Sequence, residues 1–203
     1  MEPSPWSWPA AWGELLVVAA AAVGYAFALR SFPASRARVV AFGLGLLLAL
    51  AAVVGRNPVG RIATHPFVAL PLWLVNYGIW HVPAIYDAAL RNHPLLHVEH
   101  ACYLVSGLLL WWPVFQDSPH DLTAGRRTAY VFAAFILASP IGFFLSFLPE
   151  PIYAFYEEAP RIWGLSALAD QQLAGALMSV SEAIVFFAVF AVFLTRFFAE
   201  EGA

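Results

Sequence analysis

The chain has 203 residues, of which 62% are hydrophobic and only 11% are charged. Soluble domains have roughly 45–50% apolar and about 25% charged residues, so this composition excludes an ordinary soluble protein and indicates an integral membrane protein. The net charge of −3 carries little information because so few residues are charged, but the sequence lacks the basic tract that nucleic-acid binding needs, so no nucleic-acid partner is expected. The single cysteine, Cys102, excludes an intrachain disulfide.

Long apolar runs recur along the chain between short polar breaks. A membrane-spanning helix needs roughly 17–25 apolar residues, and these runs are continuous rather than alternating, which predicts helices and not barrel strands. The sequence therefore predicts an all-α, polytopic helical bundle in a single domain, residues 1–203, embedded in the lipid bilayer as a multi-pass protein of the cell membrane. The predicted spans, about six, are 13–30, 38–55, 66–84, 95–115, 128–148 and 172–195.

Histidines are dense where the fourth predicted span begins, at positions 93, 97 and 100. An imidazole in lipid is costly unless it is paired or binds something. At about 100° per residue, His97 and His100 lie about 60° apart, so both can reach one ligand, whereas Glu99 points elsewhere. His81 ends the third span, and the short connection places it at the same membrane face. We therefore predict a ligand site there, and the alternative is that these histidines only form hydrogen bonds.

The second group of polar residues begins the last predicted span with an Asp-Gln-Gln triplet. Between the histidines and this triplet the chain is predicted to cross the membrane twice. Asp170 should therefore lie on the same side of the membrane as the histidines. One helical stripe then contains Gln171, Gly175, Met178 and Glu182. Gly175 permits close helix contact, and Glu182, near the membrane midplane, should be protonated, paired or functional. The alternative is a polar packing seam.

Three motifs resemble those of the CtaG family of the caa3 type. They are the Trp-His-x-Pro-x-x-Tyr run of residues 80–86, the histidine-containing span that ends in Trp-Trp-Pro at 111–113, and the Asp-Gln-Gln-Leu-Ala-Gly run of residues 170–175, followed by Met178. The resemblance covers roughly residues 65–180. It implies a membrane protein that takes part in cytochrome c oxidase assembly by supplying copper, with oxidase subunits as partners. It also implies that the histidine-bearing face is extracytoplasmic, which the arginine distribution leaves open because alternate sides carry five arginines each.

The resemblance and the polar residues together predict a non-enzymatic assembly factor. Copper would be bound by His81, His97 and His100, with Asp170 as a further ligand or as a residue that orients one, since imidazole suits copper.

Three alternatives stay open. A haem-binding membrane electron carrier would use His81 and one of His97 or His100 as axial ligands. A metal-free structural partner of an oxidase is consistent with the lack of the His-Met-x-x-His element that the family usually carries. A small transporter would use Glu182 as its proton or ion site.

Overall fold

The computed structural model describes residues 58–161 and 164–202. The chain divides into two compact units, Met1–Arg61 and Ile62–Ala203, and almost all described residues belong to the second. All regular secondary structure in this part of the chain is helical, as predicted. The described helices are α1 (Pro58–Ala63), α2 (Pro66–Trp80), α3 (Pro83–Arg91), α4 (His93–Phe115), α5 (Ala124–Phe147), α6 (Ala154–Glu158) and α7 (Ala167–Glu201).

Three of these helices, α4, α5 and α7, are long and apolar enough to cross a membrane. They correspond to the predicted spans 95–115, 128–148 and 172–195. The α2–α3 pair passes the same test as one broken segment, which brings the number to at most four within the described residues. The prediction of about six spans is therefore not confirmed, and the predicted spans 13–30 and 38–55 lie outside the described residues. The single-domain assignment stays a prediction.

The third predicted span is broken, and Pro83 is the cause. Proline disfavours helical backbone at the residue before it, and Val82 is extended, with φ −66° and ψ 123°. Helix α2 therefore ends at Trp80, and α3 begins at Pro83 in a direction 72° away. The stretch between the predicted spans 66–84 and 95–115 is mostly helical, because α3 continues to Arg91 and α4 begins at His93.

Helices α5 and α7 make the most extensive contact between described helices. They meet at two glycines, Gly142 and Gly175. A Cβ atom on Gly175 would lie 2.8 Å from the Gly142 oxygen and 2.8 Å from the backbone nitrogen of Ser146, which is far too close. The two backbones therefore touch here, and the prediction that Gly175 permits close helix contact is confirmed.

An apolar core and one buried arginine lie towards the other end of α5. The core draws on α4, α5 and α7 and contains Leu110, Val114, Tyr130, Val131, Ala134, Phe186 and Phe193. Arg127 donates hydrogen bonds to the Leu122 oxygen at 2.8 Å and to the Val114 oxygen at 3.0 Å. Its guanidinium also pairs with Asp117 and lies over the Phe193 ring, 5.6 Å from its centre. Arg127 therefore joins α4, α5 and α7 at this end.

We expect Gly142→Ala to destabilise the protein. The new methyl group would press on Ser179 and on the Gly175 oxygen, and overpacking of this kind costs about 1–3 kcal/mol. The matched control is Gly107→Ala in α4, where an added Cβ meets nothing within 4 Å. Thermal unfolding in detergent should show a lower midpoint for Gly142→Ala and an equal or higher midpoint for the control. Equal midpoints for the two variants would contradict the close contact.

We expect Arg127→Leu to be destabilising because the buried Val114 oxygen loses its donor, at a cost of about 1–3 kcal/mol. Arg126→Leu is the matched control, since it removes the same charge from the exposed neighbouring position. In chemical denaturation, the free energy of unfolding of Arg127→Leu should be lower than that of Arg126→Leu by this amount. Equal decreases in the two variants would show that only the loss of charge matters.

Candidate functional site at one end of the bundle

One end of the bundle is built from four segments: the C-terminal end of α2, the first turns of α4, the connection between α5 and α7, and the start of α7. Tyr103 OH in α4 lies 3.4 Å from the His81 ring nitrogen Nδ1 at the end of α2. Tyr153 OH, in the connection, donates a hydrogen bond of 3.2 Å to the His81 oxygen. Gln171, in α7, accepts one of 2.8 Å from the Ile152 nitrogen. His81 and the Asp-Gln-Gln triplet therefore lie at the same end.

His81 is half-buried and already engaged within its own helix. Its Nδ1 atom lies 2.7 Å from the Tyr77 oxygen, one turn earlier. Because a carbonyl oxygen can only accept, Nδ1 carries the proton and Nε2 is the ring nitrogen left for another partner. The His81 backbone N–H also donates to the last turn of α2. His81 thus caps the C-terminus of α2, next to the bend in the chain at Pro83.

Helix α4 turns Glu99 inward and leaves His97 and His100 exposed. Glu99 is only 7% exposed, and its carboxylate acts electrostatically on His81 and on Tyr103. Glu99 does point away from His97 and His100, as predicted, and it is buried on the side of α4 that faces the bundle. The sequence reasoning missed this role. The signal available was the spacing of Glu99, Tyr103 and Ser106, which is that of one helical face.

The Asp-Gln-Gln triplet holds the connection between α5 and α7 in place. Gln171 accepts a hydrogen bond from the Ile152 nitrogen and donates one of 3.4 Å to the Glu150 oxygen, and Gln172 donates one of 3.0 Å to the Leu148 oxygen. Asp170 is half-buried in the first turn of α7, where the helix dipole favours a carboxylate. The two glutamines thus satisfy backbone groups that would otherwise be left unpaired at the end of a membrane helix.

The other side of the same connection is fixed to α3. The Asp87 carboxylate accepts hydrogen bonds from the Ala154 and Phe155 nitrogens at 3.0 and 3.2 Å and so caps α6. Arg91 pairs with Glu158 at 2.7 Å. Burial, assisted by the nearby Asp87 carboxylate, raises the pKa of Tyr153 to about 12. Tyr153 therefore stays protonated at neutral pH and keeps its hydrogen bond to His81. Asp87 and Tyr153 are further site residues that the sequence reasoning did not identify.

Two histidines lie at the opposite end of the bundle. His65 caps α2 by accepting a hydrogen bond of 3.3 Å from the Phe67 nitrogen, and its ring centre lies 4.8 Å from that of His120. His65 lies at the boundary where α2 begins, and His120 is half-buried against it.

The four predicted copper ligands are at one end of the bundle but do not converge. His97 and His100 are exposed on α4, His81 is bonded within α2, and Asp170 lies in the first turn of α7. Over residues 58–161 and 164–202, no group of three or more His, Cys, Asp or Glu side chains is arranged to hold a metal ion. The described residues thus fit a pair of imidazoles and not a four-ligand centre.

The fold and this end of the bundle define an all-α membrane protein with exposed imidazoles beside a tightly bonded polar connection. The sequence model of the cytochrome c oxidase caa3 assembly factors (Caa3_CtaG) matches residues 15–200, nearly the whole chain, and the chain belongs to this family. The predicted resemblance is confirmed. Neither the curated proteins nor the solved structures include a match to the chain.

We expect Gln171→Leu to loosen the connection between α5 and α7, because the Ile152 nitrogen and the Glu150 oxygen both lose their partner. Gln172→Leu removes only one hydrogen bond and should have a smaller effect. Hydrogen exchange followed by mass spectrometry should show faster exchange at Ile152 in Gln171→Leu. Asp170→Asn serves as the control and should exchange like the unaltered protein. Unchanged exchange in Gln171→Leu would contradict an anchoring role.

Proposed function

We propose that this protein is a non-catalytic, multi-pass factor of the cell membrane that assists cytochrome c oxidase assembly by binding copper at His97 and His100 and presenting it to an oxidase subunit. Membership of the family supports the role in oxidase assembly. The observation that carries the copper proposal is the exposure of both imidazoles on the same side of α4.

The spacing of this pair suits a transfer site. Residues three apart on a helix are neighbours on its surface, so one ion can be reached by both rings. Imidazole is a ligand that suits copper, and an ion held by two exposed ligands keeps coordination positions open for ligands of a receiving protein. His81 and Asp170 are left out of the proposed ligand set, because no three His, Cys, Asp or Glu side chains among the described residues are arranged around one position.

A second candidate, a metal-free structural partner of the oxidase, is favoured by one observation. The hydrogen bonds of Asp87 and of the buried Gln171 and Tyr153 hold the connection between α5 and α7 in one conformation, so that the connection presents a fixed surface at this end. Such a surface can hold a partner protein by contacts alone. The two candidates differ in whether oxidase assembly depends on the imidazoles.

Copper binding tests the proposal directly. A ligand that binds only the folded state stabilises it, by about 2.7 kcal/mol at a hundred times its dissociation constant. Copper should therefore raise the thermal midpoint of the purified protein, whereas the His97→Ala/His100→Ala variant should show almost no rise. His120→Ala, at the opposite end, is the control and should respond like the unaltered protein. Acidification should weaken binding because copper competes with protons for the imidazoles.

Oxidase assembly in cells that lack the native protein provides the second measurement. The unaltered protein should restore assembled, copper-containing oxidase, and the double histidine variant should not. Full restoration by that variant would reject the copper proposal in favour of the metal-free partner. Normal assembly in cells without any copy of the protein would reject both.

A further inference from the structure

Glu182 lies near the middle of α7, and its polar atoms are enclosed. Both carboxylate oxygens are buried, as is Ser179 Oγ one turn earlier, and none of the three has a hydrogen-bond partner within the described part of the chain. Buried polar atoms in proteins are almost always paired with protein groups or ordered water. Three unpaired oxygens on one side of one helical turn therefore indicate a polar occupant.

The titratable side chains of α2 and α4 nearest this position form a series that includes one base, His81, whose ring contacts that of Tyr77 at 4.8 Å. The ring of Tyr77, in α2, is electrostatically coupled to Glu182 and to Tyr153. In α4, Tyr103 interacts electrostatically with Tyr77 and Glu99, and its hydroxyl lies 3.4 Å from Nδ1 of His81.

In α5, Gly142 lies beside Ser179, since a Cβ added to this glycine would collide with Ser179 Oγ. The arginines of the described helices lie towards the ends of the bundle, where Arg91 pairs with Glu158 and Arg127 pairs with Asp117. No arginine is thus among the described groups facing Glu182.

An ionised Glu182 would be costly in these surroundings, because a buried carboxylate needs a cation or several hydrogen bonds. Protonation removes the charge and turns one oxygen into a hydrogen-bond donor. An enclosed water can then join the carboxylic acid to Ser179, since buried waters typically bridge two to four polar groups.

We infer that Glu182 and Ser179 form an internal site that binds one proton and one water molecule within the membrane bundle. The proton comes from solvent and resides on a Glu182 oxygen, and its release leaves a carboxylate. The water accepts a hydrogen bond from this acid and bonds to Ser179 Oγ. This site is separate from His97 and His100 and does not depend on copper or on an oxidase.

Infrared difference spectroscopy on the full-length protein in detergent tests this site. At neutral pH we expect a carboxylic acid carbonyl band that shifts in heavy water and is lost in Glu182→Gln. Glu157→Gln, which alters an exposed carboxylate, is the matched control and should keep the band. Ser179→Ala should shift the band without removing it, because the acid stays but its hydrogen-bonded surroundings change. The thermal midpoint of each variant checks that it is folded.

Two results would overturn the inference. One is the absence at neutral pH of any carboxylic acid band that depends on Glu182. The other is a band that disappears when sodium is added at constant pH, which would show that the site takes a metal cation in place of the proton. A band that responds to pH and is independent of sodium supports the inference.

Discussion

The contact between α5 and α7 at Gly142 and Gly175 is the constraint on which the rest of the described structure depends. Lipid provides no hydrophobic force that drives helices together, so close packing at small residues has to supply the attraction. This contact fixes the rotation of α7 about its own axis. The same rotation places Gln171 against the connection and encloses Glu182. The polar end of the bundle and the buried acid therefore both depend on the contact between α5 and α7.

The sequence predicts helices better than it predicts their rotation. The spans that became α4, α5 and α7, and the inward stripe with Gln171 and Gly175, follow from apolar length and residue spacing, which are local properties. The rotation of α4 follows from contacts with another helix, such as that between Ser106 and Asn76. Since Glu99 and His97 point in nearly opposite directions, those contacts decide which of them faces the bundle, and the helical spacing of Glu99, Tyr103 and Ser106 is the local pattern that reflects this choice.

Two motifs that carry the family resemblance have a clear structural basis. The Trp-His-x-Pro motif ends one helix and redirects the next, because Pro83 disfavours helical backbone at Val82 and His81 bonds to the last turn of α2. The Asp-Gln-Gln motif supplies side-chain amides to residues 148–152, the part of the connection that is not helical. Such hydrogen bonds join distant parts of the chain, which is why composition and spacing did not identify the partners Asp87 and Tyr153.

Helix α7 is longer than a membrane requires. Its 35 residues extend about 52 Å at 1.5 Å per residue, whereas the hydrocarbon core of a bilayer is about 30 Å thick. A helix of this length either tilts or projects beyond the bilayer, and the balance shifts with bilayer thickness. The first turn of α7 is bonded to the connection, and its later turns are packed on α5. A change in the tilt of α7 therefore moves both the connection and α5. The thickness of the surrounding lipid is therefore mechanically coupled to the geometry of the polar end.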